Sequence, residues 1–530
     1  MYPILRRVLS VATIIFAVAA TICLPACVGA SPAPSEPVTP AKTRPPNIIF
    51  ILIDDLGWSD LGCYGSTFHE TPNLDGLAKA GVRFTQAYAA APLCSPTRAA
   101  ILTGKHPARL HLTTYLPGRA DSPAQKLLHP KINQHLPLEE VTLAEALKEK
   151  GYRCGHFGKW HLGGTGFLPE DQGFDVNVGG TAGGSPPRGY FAFQTPTLKP
   201  TEEGEYLTDR LTDEAERFID DNHDRPFFLY LCHFAVHIPL QGKPGLVKKY
   251  EAKAKRGQGL GQGQNNPTYA AMLESVDESV GRIVRKLDSV GLSENTILVF
   301  TSDNGGLAVK EGANTPATCN APLRGAKGQL FEGGIRVPLI VRMPGTIPAG
   351  GVCDVPVTST DFYPTFLAAC GAANPATTEP DGVNILPLLT GTGEVPKRDA
   401  LFWHQPHYTN QGGTPGGAVR KGDFKLIEFY EDERVELYRL PDDAGENRDL
   451  SREMPEKRNE LRKLLHDWRA SVDAQMPAPN PKYDPDWKEP PSVEERARDA
   501  ARDALRRVRE ESRKREVGPR QEDAPRKRGN

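Results

Sequence analysis

Asn47-Ile-Ile-Phe-Ile-Leu-Ile53 is an unbroken apolar run, followed at once by Asp54-Asp55-Leu-Gly57. A strand covered on both faces has no polar side to alternate with, so it reads as a continuous apolar run; this is the parallel-sheet pattern. Phe227-Phe-Leu-Tyr-Leu231 and Thr296-Ile-Leu-Val-Phe300 read the same way. Helical segments lie between them. Thr142-Leu-Ala-Glu145 is a capping box, and Gly151 stops the helix it opens. Met272, Val276, Val280, Ile283 and Leu287 fall at helical spacing. Strands alternating with helices predict an α/β fold, a sheet with helices on both faces.

From about Arg398 the pattern changes. Asp423-Phe-Lys-Leu-Ile-Glu-Phe-Tyr430 and Val435-Glu-Leu-Tyr438 alternate apolar and polar residues, as antiparallel strands with one wet face do. A helix is expected near 454–471. The expected organisation is a signal peptide at 1–30, a Pro-rich linker at 31–45, a main domain at 46–394, a small antiparallel-sheet subdomain at 395–480 and a charged tail at 481–530. After Trp487 no aromatic residue remains and Arg, Glu, Asp and Ala dominate, which predicts a solvated helix or a disordered tail.

Arg6 and Arg7 precede an apolar run from Val8 to about Ala26, and small residues follow. That is a secretory signal, with Val28-Gly-Ala30 as a cleavage site. An uncleaved anchor is the alternative, because the run approaches a span in length. Leu24-Pro-Ala-Cys27 also resembles a bacterial lipobox, which would lipid-anchor the chain at Cys27. No other stretch is apolar enough to span a bilayer, so no stable membrane span is expected beyond this segment. An exported chain, periplasmic or extracellular, is expected. The net charge of −2 argues against wholesale nucleic-acid binding, and 51 glycines with 48 prolines indicate a loop-rich enzyme rather than a helical bundle.

Seven of the nine cysteines lie beyond the signal region: Cys63, Cys94, Cys154, Cys232, Cys319, Cys353 and Cys370. They show no zinc-type spacing and are too sparse for a disulfide scaffold. Cys353 and Cys370 could pair. An odd count in an exported chain invites one cysteine with another fate.

Asp54 and Asp55 follow one buried strand; Asp303 and Asn304, with Gly305 and Gly306 after them, follow another. Ligands of open α/β sheets bind at the carboxyl ends of the strands. Three carboxylates and an amide oxygen on one rim form a hard, all-oxygen set suited to calcium, or to magnesium, because three like charges close together are costly without a cation. Each pair taken alone is also a respectable turn or helix cap.

Cys94-Ser95-Pro96-Thr97-Arg98-Ala99, closed by Leu102-Thr-Gly104, resembles the sulfatase signature C-x-P-x-R, whose cysteine is oxidised to formylglycine (3-oxoalanine). Other blocks of that family stand around it in order: Ile51 to Gly57, Gly158-Lys159-Trp160-His161-Leu162-Gly163, His237-Ile-Pro239, Thr301-Ser-Asp303-Asn304-Gly305, Leu323-Arg-Gly-Ala-Lys327-Gly, and Glu332-Gly-Gly-Ile-Arg-Val-Pro338. The resemblance spans roughly residues 46 to 480 and is to type I formylglycine-dependent sulfatases of the arylsulfatase and N-acetylgalactosamine-6-sulfatase kind.

That resemblance implies an alkaline-phosphatase-like fold: a large mixed, mostly parallel sheet sandwiched by helices, with a smaller C-terminal α+β domain built on an antiparallel sheet. It implies hydrolysis of sulfate esters. The aldehyde hydrate carries two geminal hydroxyls; one attacks sulfur, and deprotonation of the other expels sulfate without a second attack. Asp54, Asp55, Asp303 and Asn304 match the metal ligands, with modified Cys94 completing the shell. Asp303 also matches an acceptor of the nucleophile's proton. Arg98 and Lys159 match residues that hold the hydrate, and His161 the group that helps deprotonate its second hydroxyl. His237 and Lys327 match the sulfate-binding and leaving-group side. His233 competes with His237 on sequence alone, and the following Ile-Pro favours His237. A maturation enzyme that reads Cys94 to Arg98 is implied as a partner.

Two other functions stay open here. One is a phosphoester or phosphonate monoester hydrolase of the same superfamily; the other is a non-catalytic exported glycan-binding protein. Pro187-Arg188-Gly-Tyr190-Phe191 and Leu207 to Asp213 resemble bacterial sulfatases acting on sulfated polysaccharides or their oligosaccharides. Sugar-reading residues are expected on loops 106–136, 181–200 and 403–420, with His111, Arg188 and His404 as candidates.

Overall fold

The computed structural model describes residues 44–259, 263–375, 379–394, 397–488, 502–504 and 506–509. The signal segment, the lipobox at Cys27 and most of the linker lie outside the described residues. The strands in chain order are β1 (Asn47–Ile53), β2 (Val82–Tyr88), β3 (Leu127–Leu128), β4 (Arg153–Gly158), β5 (Val176–Val178), β6 (Phe227–Cys232), β7 (Thr296–Ser302), β8 (Arg336–Arg342), β9 (Gly351–Cys353), β10 (Val357–Thr358), β11 (Leu401–Gln405), β12 (Gly416–Lys421), β13 (Phe424–Phe429), β14 (Val435–Arg439) and β15 (Ala478–Pro479).

The expected α/β sheet is present. It has nine strands in the order β10-β2-β8-β7-β1-β6-β4-β5, with β9 beside β2. β8 runs antiparallel to both its neighbours and every other pairing is parallel. The apolar run that opens the domain is its central strand, and all seven of its residues are buried. Alternate side chains serve opposite layers. Ile48, Phe50 and Leu52 pack with Ile101, Leu143, Phe362 and Phe366; Ile49, Ile51 and Ile53 pack with Leu211, Met272, Val276 and Ile283. Each such side chain contributes about 1.5–3 kcal/mol by leaving water, and both layers need β1 to be apolar throughout.

The capping box at Thr142 and Glu145 forms as expected, and the long helix runs Pro267–Ser289. Among the described residues no helix is long and apolar enough to cross a membrane.

The second sheet, β11-β12-β13-β14, is antiparallel, and the helix Pro455–Ser471 covers one face through Leu461 and Leu465 against Val419, Leu426 and Leu437. The expected wet face does not exist. Trp403, Ala418, Ile427 and Tyr438 pack on Tyr88, Leu330 and Ile335 of the main body. The polar residues that suggested solvent are buried with partners: Lys425 with Glu332 and Glu446, and Glu428 with Arg462, His466 and Arg469.

One further expectation is corrected. Cys353 and Cys370 are unbonded thiols; Cys370 meets the Tyr152 hydroxyl instead. β15 pairs with β3, and just beyond it Asp484 N–H donates to Pro123 O at 2.8 Å. Residues 502–504 and 506–509 are helical and exposed, and the rest of the tail lies outside the described residues.

Candidate active site

Four adjacent parallel strands, β7, β1, β6 and β4, end on one rim, and each hands over functional residues. The β1–β7 register pairs Ile53 with Ser302, so Asp54 and Asp303 leave the sheet side by side. Gly158 pairs with Cys232, which brings Lys159 and His161 beside the turn that carries His237. β2 leads into the helix Cys94–Thr103, and the segment entering β8 supplies Lys327. Every catalytic or metal-site candidate named from sequence therefore arrives at one place.

Cys94 is the first residue of its helix, and Arg98 lies one turn on, on the same face. The intervening residues fix the turn. Ser95 Oγ accepts the Leu116 N–H at 3.1 Å, Thr97 Oγ1 donates to Ala91 O at 3.0 Å, and Pro96 sits where a helix needs no N–H. Arg98 donates twice to Asp303 Oδ2, at 3.0 and 2.8 Å, and once to Lys159 O.

Lys159 Nζ lies 2.7 Å from Asp54 Oδ2, and Lys327 Nζ lies 2.7 Å from Asp55 Oδ2. Asn304 Nδ2 donates to Asp55 Oδ1 at 2.8 Å. Three carboxylates thus face three cationic side chains, so their negative charge does not by itself require a metal. The orphaned acceptors are stronger grounds. Asp54 Oδ1 and Asn304 Oδ1 are buried without a hydrogen-bond partner, and such groups are rare unless something absent binds them. Asp54, Asp55 and His237 also bring ligand atoms within 4.8 Å of one another. The oxygen set fits a hard divalent cation.

Burial pushes the Asp54 carboxyl well above the usual range, against the pull of Lys159, with Asp303 and Asp55 adding to the push. Burial acts the same way on Asp55, but Lys327, His237 and Lys159 outweigh it and hold that carboxyl low.

His161 has a left-handed backbone (φ 59°) that turns its ring back over the helix start. Its Nε2 lies 2.7 Å from Leu116 O and its Nδ1 3.2 Å from Cys94 Sγ. A carbonyl only accepts, so Nε2 carries the proton and Nδ1 presents a lone pair to Cys94. Burial, and then the Lys159 ammonium, hold His161 well below the usual imidazole range. The ring is a neutral base. His237 Nδ1 donates to Ile238 O at 2.7 Å, which leaves Nε2 toward the site, 3.7 Å from Asp55 Oδ2. His233 is excluded from the site: it is fully buried and bonded to Ser279 Oγ.

These groups open onto a cavity of about 240 Å³ whose lining includes Cys94, His161, His237 and Lys327. The three expected loops do contribute, through Tyr115, Gly184, Ser185, Asn410 and Gln411. The three named sugar-reading candidates do not line it. His404 is held between Tyr430 Oη and Gln475 O, His111 bonds Asp473 O, and Arg188 pairs with Gln194 on the surface. The two histidine rings are engaged by the chain's own groups, and Arg188 is exposed with one nitrogen bonded to Gln194. Glu311 also lines the cavity and was not visible from sequence, because nothing local marks a loop acid as facing a site. The glycine at 184 carried a readable signal only in hindsight: a Cβ there would sit 2.3 Å from the His161 ring.

Acidic strand ends, a neutral histidine and buried lysines meet around one cavity at the carboxyl edge of a mostly parallel sheet, an arrangement suited to hydrolysing an anionic ester. A family model for sulfatases matches residues 46–372, and one for the C-terminal part of N-sulphoglucosamine sulphohydrolase matches residues 326–471. The chain is 34% identical over 482 residues to a sulfatase of Formosa agariphila, covering 77% of this chain and 85% of that one. It is 36% identical over 423 residues to arylsulfatase A of Homo sapiens, covering 73% and 76%. The solved structure of Ps i-CgsB in complex with k-i-k-neocarrahexaose is similar with a TM-score of 0.69 and 31% identity, over 82% of this chain and 94% of that one. The chain belongs to the sulfatase family and is a sulfuric ester hydrolase.

Proposed function

We propose that this enzyme is an exported sulfatase acting on sulfated glycans, with Cys94 converted to formylglycine and a divalent cation, calcium or magnesium, held by Asp54, Asp55, Asp303 and Asn304. The observation that carries the reading is the approach of His161 Nδ1 to Cys94 Sγ at 3.2 Å, two side chains that line the same cavity.

Formylglycine at position 94, when hydrated, would supply one hydroxyl for attack on sulfur and a second whose deprotonation expels sulfate. Asp54, Asp55, Asp303 and Asn304 would hold a divalent cation, which would supply neutralisation of sulfate charge and acidify a hydroxyl on the modified Cys94 side chain. The remaining work belongs to the chain's own groups. His161 Nδ1 accepts a proton from whatever oxygen stands where Sγ now lies, while Leu116 O fixes the opposite tautomer. Lys327 Nζ faces the cavity and pairs with sulfate oxygens; His237 Nε2, unprotonated while Nδ1 donates to Ile238 O, must first take up a proton before it can pass one to the departing alcohol. Arg98 and Lys159 position the carboxylates.

Export is supported by the charged and apolar segment before Ala30, and a glycan substrate by the oligosaccharide bound to one relative. Mass analysis of the peptide containing Cys94 from active enzyme should find an aldehyde or its hydrate. Full activity with an intact thiol would overturn the reading.

A further inference from the structure

The cavity lining carries both signs of charge: Lys327 is its ammonium, and Glu311 is the single carboxylate among the lining residues. Glu311 is not a loose surface acid. Its Oε2 accepts from Gln411 Nε2 at 2.5 Å. Its backbone N–H donates to Thr315 Oγ1 at 2.8 Å, and that hydroxyl donates to Gly312 O at 3.0 Å. Gln411 is buried, and its own carbonyl accepts from Gln329 Nε2 at 3.0 Å. The carboxylate is thus held by its own turn and by the loop that joins β11 to β12.

Glu311 and Lys327 line the same cavity. The other polar groups on this wall are neutral, and Asn410 Nδ2 lies 3.4 Å from the Tyr115 hydroxyl.

We propose that Glu311 is a specificity-determining residue that restricts the leaving group to units whose sole anionic group near the scissile oxygen is the sulfate being removed. Sugar hydroxyls and amide N–H groups donate to a carboxylate, whereas a neighbouring uronate or second sulfate is repelled by it. The inference rests on reading this cavity as the sulfate-ester site.

The test uses two nitrophenyl sulfates that differ only in a carboxamide or a carboxylate at the same ring position. The native enzyme should favour the carboxamide in kcat/KM by about tenfold or more, and raising salt from about 20 mM to about 500 mM should shrink that ratio. In Glu311→Gln, which keeps an acceptor for Gln411, the ratio should fall to within about threefold, the residue of non-electrostatic differences. Because both substrates meet the same variant, a general loss of activity cancels. An equal ratio in native and variant enzyme, or a native ratio indifferent to salt, overturns the inference. If the native enzyme turns over neither sulfate, the functional reading beneath it fails instead.

Discussion

Lys159 Nζ and Asp54 Oδ2 lie 2.7 Å apart with both side chains fully buried, although they leave different strands. The pair occupies one oxygen of Asp54 and leaves Oδ1 without a partner; Asn304 repeats the pattern, its amide nitrogen engaged and its oxygen free. An unmet buried acceptor costs about 1–3 kcal/mol, which a bound cation would offset. Calcium added to chelator-treated enzyme should therefore raise the thermal midpoint, by the equivalent of about 2.7 kcal/mol at a hundredfold excess over Kd. Asn304→Ala should weaken calcium binding about 10- to 100-fold. Calorimetric titration that finds no divalent-ion binding to the native protein would refute the metal site.

Gly184 lies against the face of His161, and a Cβ there would meet ring atoms at 2.3 to 2.8 Å. Gly184→Ala must push the ring away from Leu116 O and Cys94. A displacement of about 1 Å can cost a hundredfold in rate, so kcat should drop about 10- to 100-fold, with a smaller change in KM. A variant with native kcat would mean that the His161 pose is not used in turnover.

Asp277 caps a helix from outside. Its carboxylate accepts from Leu74 N at 2.8 Å and from Asn73 N and Nδ2 at 3.2 and 2.7 Å, at the start of the helix Pro72–Lys79. Burial nonetheless pushes its pKa up to about 6. An acid whose folded value exceeds its unfolded value contributes stability below the unfolded value and loses it as pH rises through the folded one. Between about pH 4 and 6 the native protein should therefore lose up to about 3 kcal/mol through this group, at 1.36 kcal/mol per unit. Asp277→Asn should be less stable overall but lack that component of the slope. Parallel slopes for the two proteins in denaturant titrations would exclude it.

The central strand, the acidic strand ends and the cysteine were legible because each is a local pattern: β1 is apolar on both faces, and Asp54 and Asp303 follow strands that happen to be neighbours. The cavity wall was legible only as loops and not as residues, and the loop carrying Glu311 was not expected at all. Tyr115, Glu311 and Gln411 come from three loops far apart in sequence, and only the folded chain brings them to one cavity. His404 misled because a loop histidine near an expected site looks free, while its ring is bonded on both nitrogens. Lys425 misled more deeply. Its place in an alternating strand predicts solvent, and the residue is fully buried because two distant glutamates meet it.

That lysine ties the small sheet to the site. Lys425 Nζ lies 3.0 Å from Glu332 Oε1 and 2.8 Å from Glu446 Oε1, and Glu446 Oε2 accepts the Glu332 N–H at 2.7 Å. Removing one partner from a buried charge network strands the others, at a cost of about 3–5 kcal/mol. Lys425→Met should destabilise by that amount in denaturant unfolding. Lys425→Met combined with Glu446→Gln should recover part of it, because the stranded charge is removed along with its partner. The same sheet carries Gln411, which holds Glu311 in the cavity wall, so the single variant should raise KM for a bulky sulfated substrate more than it lowers kcat. If Lys425→Met unfolds within about 1 kcal/mol of the native protein, the triad is not what fastens the sheet, since an intact buried network cannot lose its central cation so cheaply.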